Sequence, residues 1–228
     1  MRILALADIH GSARGQLVVR NLVNELKPDA IAIAGDLTGE SGLSSTRALL
    51  EWLPVPTLVV PGNMDTAAAA AIFTVGKSRN LHLRKETVGA IDFVGIGGWI
   101  ISPSINRSWG IDPQVAEKEV SKLLTEGAVL LTHVPAYGHL DKVPVPPAFS
   151  AGSGEIEHIG SQHVRRLVDS FKPAVVISGH VHEDRGIETE GGTLFVNPGP
   201  AKNGFGALIE LEPHPRAKLL ESGNQLDG

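Results

Sequence analysis

The chain has 228 residues, a formal net charge of −5 and no cysteine. The negative charge gives no general attraction to nucleic acid, and the lack of cysteine excludes disulfides, thiolate nucleophiles and cysteine-based zinc sites. With 42% apolar residues, 26 glycines and few aromatic side chains, the composition predicts one soluble globular domain with an aliphatic core.

Strands and helices alternate in the first third of the chain. We predict strands at 2–7, 30–34 and 57–60, with helices at 14–26, 44–52 and 67–73 between and after them. Ser41 or Ser44 is expected to cap the second helix, and Asp65 or Thr66 the third. Such alternation favours a parallel or mostly parallel sheet with right-handed crossovers.

The remainder of the chain is more varied. A hairpin is predicted at 86–95, then an irregular segment at 97–109, a helix at 113–125 and a strand at 128–131. After an aperiodic stretch come a helix at 159–171, a strand at 174–177 and antiparallel strands at 187–189, 193–196 and 206–211. Two strand-rich halves, each with helices, indicate a two-sheet α/β sandwich.

The aperiodic stretch at 134–158 contains four prolines and the glycine-rich turn at 152–154. Loops of this length inside a compact domain are usually functional lids, binding loops or disordered segments. We therefore interpret residues 134–158 as a lid or substrate loop, and expect substrate choice to depend on this segment and on residues 98–109.

Five short polar signatures lie at or just after the ends of predicted strands. They are Asp8-Ile9-His10, Gly35-Asp36, Gly62-Asn63-Met64-Asp65, Thr132-His133 and Gly179-His180-Val181-His182. Each alone is typical of a capped turn or of a structural histidine. Loops at the carboxyl ends of strands converge on one edge of an α/β sheet, so together they predict an oxygen- and nitrogen-rich site for two divalent cations.

The order of these motifs resembles the calcineurin-like metallophosphoesterase superfamily, whose pattern is D-x-H, G-D, G-N-H-D/E, a lone H and G-H-x-H. The resemblance covers residues 8–182, and it implies a single domain over 1–228 with a four-layer αββα sandwich of two mixed sheets. It further implies two divalent metal ions, Mn²⁺ as the first choice and Ni, Fe, Co or Zn as alternatives. The implied ligands are Asp8, His10 and His182 for one ion, Asn63, His133 and His180 for the other, and Asp36 as the bridge.

The resemblance also implies the chemistry. A water shared by the two cations is acidified to hydroxide and attacks phosphorus in line, with Asp36, Asn63 and His133 as catalytic residues and Asn63 also contacting substrate. The implied activity is hydrolysis of a phosphoric ester, and a phosphodiester is favoured.

Met64 departs from the family pattern, which has a proton-donating histidine at this position. Methionine cannot protonate a leaving group, and general acids contribute about 10²–10⁴-fold to rates. This substitution resembles small bacterial and archaeal phosphodiesterases, and it favours substrates whose leaving groups depart unaided. His139 and His158, in the long loop, are the candidate replacement acids and substrate contacts.

Other functions stay open at this point. A nuclease is disfavoured by the acidic charge, and a phosphomonoesterase by Met64. A non-catalytic scaffold of the same fold has no need of all seven ligands, which are present here. We expect a cytoplasmic enzyme with a small phosphoester substrate, because the apolar run at 3–7 is too short for a secretory signal and no run is long enough to span a membrane. A homo-oligomer is compatible with the sequence.

Overall fold

The computed structural model describes residues 1–39, 42–100, 110–145 and 155–222. The segment at 101–109 and the turn at 152–154, to which the sequence analysis assigned substrate choice, therefore lie outside the described residues. Five α-helices are described: α1 (Ala13–Leu26), α2 (Leu43–Trp52), α3 (Ala67–Ala71), α4 (Pro113–Ser121) and α5 (Gln162–Phe171). None of the helices in the described ranges is long and apolar enough to cross a membrane.

Most of the strands belong to two large sheets. The strands are β1 (Arg2–Leu6), β2 (Ala30–Ala34), β3 (Thr57–Val60), β4 (Ser78–Asn80), β5 (Lys85–Val88), β6 (Ile91–Ile96), β7 (Trp99–Ile100), β8 (Gly110–Ile111), β9 (Val129–Thr132), β10 (Lys142–Pro144), β11 (Ile156–His158), β12 (Val175–Ile177), β13 (Gly186–Glu190), β14 (Thr193–Asn197), β15 (Phe205–Glu210) and β16 (Arg216–Glu221). The first sheet has the order β16-β15-β1-β2-β3-β4, and the second has the order β13-β14-β12-β9-β6-β5.

Both sheets are mixed, with a parallel centre. In the first sheet β1, β2, β3 and β4 are parallel, and β15 joins β1 in antiparallel orientation. In the second sheet β6, β9, β12 and β14 are parallel, and the edge strands β5 and β13 are antiparallel to their neighbours. The parallel centre of each sheet gathers its strand ends, and the loops that follow them, at one edge.

Alternation along the strands explains the layers. In β1, Ile3 and Ala5 belong to the core between the two sheets, whereas Leu4 and Leu6 pack against the helices on the other side. The inward positions of β1 and β2 are mostly alanines, which lets the sheets approach closely. Helices α1, α2 and α3 cover the first sheet, and α4 and α5 cover the second. The predicted αββα sandwich is confirmed.

Two local predictions were wrong, and one strand was not predicted. The N-cap residue of α2 is Gly42 rather than Ser44, and no side-chain hydrogen bond caps the helix. Its φ of 105° is one that glycine adopts readily. Ser41 lies outside the described residues. The stretch at 134–158 is not wholly aperiodic, since β10 and β11 pair within it. The terminal segment contains β16, paired along its whole length with β15. Strands β10 and β11 contain a proline and charged residues rather than an apolar alternation, so the sequence pattern does not predict them. The same reason applies to β4, which is short and polar.

Candidate metal centre

The predicted ligands all follow strand ends of the two parallel centres. Asp8 and His10 follow β1, Asp36 follows β2 and Asn63 follows β3. In the second sheet His133 follows β9, and His180 and His182 follow β12. A backbone bond from Gly179 N–H to the His133 carbonyl (3.0 Å) ties the two loops of the second sheet together. The seven side chains are thus delivered to one place by five different strands.

The backbone is unusual at four of these residues. Asp8, His10, Asp36 and His180 have φ of 54°, 53°, 51° and 67°, which is the left-handed region. Non-glycine residues enter it at a cost of about 1 kcal/mol or more each. Backbone bonds hold this conformation, for example from His10 N–H to the Asp36 carbonyl (2.8 Å). Strain of this kind is concentrated where the fold must aim a side chain.

Asp8, His10 and His182 form the first ligand group. Oδ1 of Asp8 lies 3.3 Å from Nε2 of His182 and 3.8 Å from Nε2 of His10. The two imidazoles meet edge to face with their centroids 5.6 Å apart. Oδ2 of Asp8 accepts a hydrogen bond from the His180 backbone N–H (3.1 Å), which leaves Oδ1 directed at the histidines.

Asn63, His133 and His180 form the second group. Oδ1 of Asn63 lies 2.8 Å from Nε2 of His133 and 3.0 Å from Nδ1 of His180. Nδ1 of His133 is 2.8 Å from the Ala34 carbonyl, so it donates its proton there and presents Nε2 to the site. Three potential ligand atoms therefore converge on one place.

Asp36 lies between the two groups. Its Oδ1 is 3.7 Å from Nε2 of His133, and its Oδ2 is 3.8 Å from Nε2 of His10. Oδ1 also accepts a hydrogen bond from the Met64 backbone N–H (2.7 Å), which fixes the orientation of the carboxylate. The two oxygens of one carboxylate thus face histidines of different groups.

Two glycines of the motifs are required by close approach to a carboxylate of the cluster. A Cβ on Gly62 would overlap the Asp36 carboxylate, and a Cβ on Gly179 would lie 2.8 Å from Oδ2 of Asp8. The glycine therefore precedes its ligand because the chain passes directly over another ligand's carboxylate. The G-N and G-H dipeptides of the sequence have this packing reason, beyond turn formation.

The donor set fits divalent cations. Oδ1 of Asp8 and Nε2 of His10 are buried, and among the described residues neither has a hydrogen-bond partner. Buried polar atoms are rarely left in this state, because each one costs about 1–3 kcal/mol. Imidazole and carboxylate ligands without thiolates suit Mn, Fe, Co, Ni and Zn. The unpaired atoms are those that a cation of the first group would bind.

Burial and neighbouring charges shift the pKa values of three histidines and one carboxylate of the site. Burial lowers the pKa of His10 to about 4, against the opposing effect of Asp8, and lowers the pKa of His180 to about 3. Burial raises the pKa of Asp36 to about 6, although the His133 charge opposes this. Burial also lowers the pKa of His133, but the charges of Asp36 and Asp8 outweigh it and the net shift is upward. The first two imidazoles are therefore neutral at pH 7, as metal ligands must be.

Met64 and Asp65 follow Asn63 but have different surroundings. The Met64 side chain is 44% exposed, whereas Asp65 is fully buried. The Asp65 carboxylate accepts hydrogen bonds from the backbone N–H groups of Gly62 (2.8 Å) and Thr38 (2.8 Å) and from the Thr38 hydroxyl (2.7 Å). It therefore joins the loops that carry Asp36 and Asn63, and Thr66 alone caps α3. The alternative prediction of Asp65 as the cap was wrong.

Asn197, the last residue of β14, supports the loop of His182. Its side-chain amide donates to the carbonyls of Val181 (2.7 Å) and Asp184 (3.2 Å), and its Oδ1 accepts from the Gly199 N–H (3.0 Å). These bonds hold the short 3₁₀ helix that begins at His182. The partners of Asn197, Val181 and Asp184, lie 16 and 13 residues earlier in the chain, so no local sequence pattern indicates this supporting role.

His139 and His158 are bonded to residues outside both groups. His139 is stacked on Phe195, and its ring nitrogens lie 3.0 Å from Glu188 and 2.9 Å from Glu190. Nδ1 of His158 lies 2.6 Å from the buried Asp141 carboxylate. The structure therefore brings together the seven predicted metal ligands and gives these two histidines partners elsewhere.

Known proteins resemble this chain over most of its length. It is 26% identical over 209 residues to the uncharacterised protein MJ1162 of Methanocaldococcus jannaschii, with 88% of each chain covered. The crystal structure of TT1561 from Thermus thermophilus matches with a TM-score of 0.74 and 22% identity, covering 96% of this chain and 98% of that one. A structure described as a novel archaeal phosphodiesterase matches with a TM-score of 0.53 and 16% identity, covering 96% and 100%.

A sequence model of the calcineurin-like phosphoesterase family matches residues 1–184. This range includes every residue of the two ligand groups. The match spans well over half of the chain, and the solved structures share its two-sheet fold. The chain belongs to the calcineurin-like phosphoesterase family.

Proposed function

We propose that this protein is a metal-dependent phosphodiesterase with two divalent cations. The observation that carries the proposal is the position of Asp36, whose two oxygens face His10 and His133, one from each ligand group. A carboxylate in this position can bridge two cations about 3.5–4 Å apart and reduce their mutual repulsion. A structural aspartate would instead be directed at backbone donors, as Asp65 is.

In this proposal Asp8, His10 and His182 hold one cation, and Asn63, His133 and His180 hold the other. Mn²⁺ is our first choice, and Ni, Fe, Co and Zn suit the same ligands. When bound, such a pair of cations acidifies a water molecule and neutralises the oxygens of the phosphoryl group. The chain keeps His10 and His180 neutral through burial and orients His133 through Ala34.

A diester preference follows from Met64. Its exposed thioether follows Asn63 directly and cannot donate a proton to a departing alkoxide. Without a general acid, the rate depends steeply on the leaving group, so that activated or acidic leaving groups are favoured. The archaeal phosphodiesterase with the same fold is an example of this activity in this architecture.

Substrate binding by the β10–β11 hairpin is a further part of the proposal. The Lys142 backbone N–H donates to the Asp184 carboxylate (2.9 Å), and Asp184 ends the 3₁₀ helix that begins at His182. The hairpin is thereby anchored next to a metal ligand. His158 pairs with Lys142 across the hairpin, and its side chain is 35% exposed, so it is the candidate substrate contact in this segment. Both ring nitrogens of His139 face Glu188 and Glu190, so the proposal gives this residue no contact with substrate.

The test is hydrolysis of bis-p-nitrophenyl phosphate by protein loaded with Mn²⁺, Ni²⁺ or Co²⁺, with p-nitrophenyl phosphate as the competing monoester. We expect faster turnover of the diester, and loss of activity in Asp36→Ala and Asn63→Ala. Asp92→Ala and Asn24→Ala, at exposed positions on β5–β6 and α1, are the matched controls. Full turnover in excess chelator, or faster turnover of the monoester, would refute the proposal.

A scaffold role predicts a different result in the same experiment. A scaffold would bind no stoichiometric metal and hydrolyse neither ester, although the fold would be intact. The unpaired atoms of Asp8 and His10 disfavour it, since a scaffold gains nothing from buried ligand atoms without partners.

A further inference from the structure

Lys202 lies beside the first ligand group, at a position that the metal-ligand pattern does not include. The chain leaves β14 through Asn197 and reaches a short 3₁₀ helix, Ala201–Asn203, just before β15. Because β15 is antiparallel to β1, its first residues lie next to the end of β1, where Asp8 begins the site. Lys202 is therefore placed at the ligand edge by the topology of the first sheet.

Backbone contacts fix this position. The Ala201 N–H donates to the Ala7 carbonyl (2.8 Å), and the Lys202 N–H to the Asp8 carbonyl (3.4 Å). On the other side α1 packs closely, because a Cβ on Gly15 would lie 3.3 Å from the Lys202 Cα. The backbone of Lys202 is thus bonded to that of Asp8 and packs against α1, unlike a lysine on a freely exposed surface.

The Lys202 ammonium has no counter-charge within the described ranges: no carboxylate there forms an ion pair or hydrogen bond with it, although the residue is half-buried. Arg166, by contrast, is paired with Glu117, and Lys122 with Glu119. An unpaired ammonium held beside metal ligands can attract an anion.

The negative net charge of the chain gives a reason for a positively charged side chain beside the site. At a net charge of −5, only partly offset by two divalent cations, the protein gives anionic substrates no long-range attraction. An ammonium next to the site supplies a local attraction, and a lysine binds phosphate oxygens as a point charge. Met64 supplies no such contact from its side of the site.

We propose that Lys202 is the substrate-binding cation of this site and contacts a non-bridging oxygen of the phosphodiester. This inference rests on the proposed function and adds a residue to it. The contact acts on binding, because the ammonium meets a charge that the substrate carries before and during the reaction. Hydrogen bonds to charged groups contribute about 1.5–3 kcal/mol, which corresponds to about 10–150-fold in affinity.

The experiment compares wild type with Lys202→Met, Lys202→Gln and Lys202→Arg, all loaded with Mn²⁺. Lys218→Met is the matched control, since Lys218 is an exposed lysine of β16. Calorimetry measures the dissociation constant of inorganic phosphate, and steady-state kinetics measures KM and kcat for bis-p-nitrophenyl phosphate. We expect phosphate affinity to fall and KM to rise by at least about 10-fold in both neutral variants, with kcat within about threefold. Lys202→Arg should retain most of the affinity, and Lys218→Met should resemble wild type.

Two outcomes would overturn the inference. One is an unchanged phosphate affinity in the neutral variants, and the other is loss of bound Mn²⁺ from them, which would make Lys202 a support of the metal centre. The second neutral variant guards against misfolding of the first. If wild type itself hydrolyses no diester, the proposed function fails, whereas wild-type turnover with unaffected Lys202 variants refutes only the role of Lys202.

Discussion

His133 and His139 are both buried and lie close together in the chain, yet their rings are used in opposite ways. His139 stacks on Phe195 and places a glutamate oxygen near each ring nitrogen, with Arg165 alongside. His133 donates one proton to a main-chain carbonyl and directs its other nitrogen towards Asn63 and Asp36. Burial alone therefore does not identify a ligand, because what the second nitrogen faces decides the role.

The same contrast separates two aspartates. Asp141 is fully buried and accepts hydrogen bonds from His158 and from the N–H groups of Gly138 and Gly160. Asp36 is almost as buried, yet it has one backbone donor and two histidines at 3.7 and 3.8 Å. The Asp141 carboxylate receives its hydrogen bonds from the chain itself, whereas the Asp36 carboxylate has the position that a bridging metal ligand would need.

The largest expected effect comes from exchanging each of these aspartates for asparagine. Asp36→Asn should lose bound metal and reduce diester hydrolysis by about 10³-fold or more, because the amide cannot bridge two cations. Asp141→Asn should keep metal content and kcat within about threefold, because Asp141 contacts neither ligand group. Elemental analysis and turnover measure both. Equal losses in the two variants would remove the distinction between the two regions.

A second prediction concerns the missing acid. Across diesters whose leaving groups differ in pKa, wild type should show a steep dependence of rate, which flattens in Met64→His. The gain should be greatest for poor leaving groups, up to about 10²-fold, the lower end of what general acids contribute. Asp65 is already bonded to Gly62 and Thr38, so it cannot orient the new imidazole. An equally steep slope in both proteins would contradict the role given to Met64.

A third prediction concerns stability. Asp141→Asn leaves an amide among the N–H donors of Gly138 and Gly160, and should lower the free energy of unfolding by about 1–3 kcal/mol. Chemical denaturation of the metal-free protein measures this change. Lys85→Met, at an exposed pair with Asp92, should change stability by less than about 1 kcal/mol. A loss in Lys85→Met as large as that in Asp141→Asn would show that burial of the carboxylate is not the cause.

The metal-free protein should lose stability in acid. His10, His82 and His180 have pKa values lowered to about 4, 4 and 3 by burial, so between these values and 6.5 the unfolded chain binds more protons than the folded one. Stability therefore rises with pH through this window and is lost as pH falls. Asp36, with its pKa raised to about 6, opposes the trend in part. Denaturation midpoints from pH 6.5 to 4 that stay constant or increase on acidification would contradict these assignments.

The smallest expected effect on turnover is that of replacing His139, which lies outside the ligand groups. His139→Gln should leave metal content and turnover unchanged within about twofold, because its partners Glu188 and Glu190 lie on β13, outside the ligand groups. It should cost about 1 kcal/mol of stability through lost ring stacking and hydrogen bonds. A tenfold fall in turnover with intact metal content would return His139 to the site.

The seven predicted ligands were identified through the order of motifs that resembles the family, and the topology of the two parallel centres brings them together. The residues that hold these side chains in place were not identified from the sequence. Asp65 acts through hydrogen bonds to the loop of Thr38, and Asn197 through Val181, and such long-range partners leave no local pattern. Likewise β10, β11 and β16 are strands through their pairing partners rather than through apolar alternation.

The central claim is that one carboxylate, Asp36, joins two metal sites. The most direct measurement is anomalous X-ray scattering from crystals soaked in Mn²⁺. We predict two peaks about 3.5–4 Å apart, one beside Asp8, His10 and His182, the other beside Asn63, His133 and His180, with Asp36 between them. A single peak, or peaks elsewhere with none beside Asp36, would contradict the account.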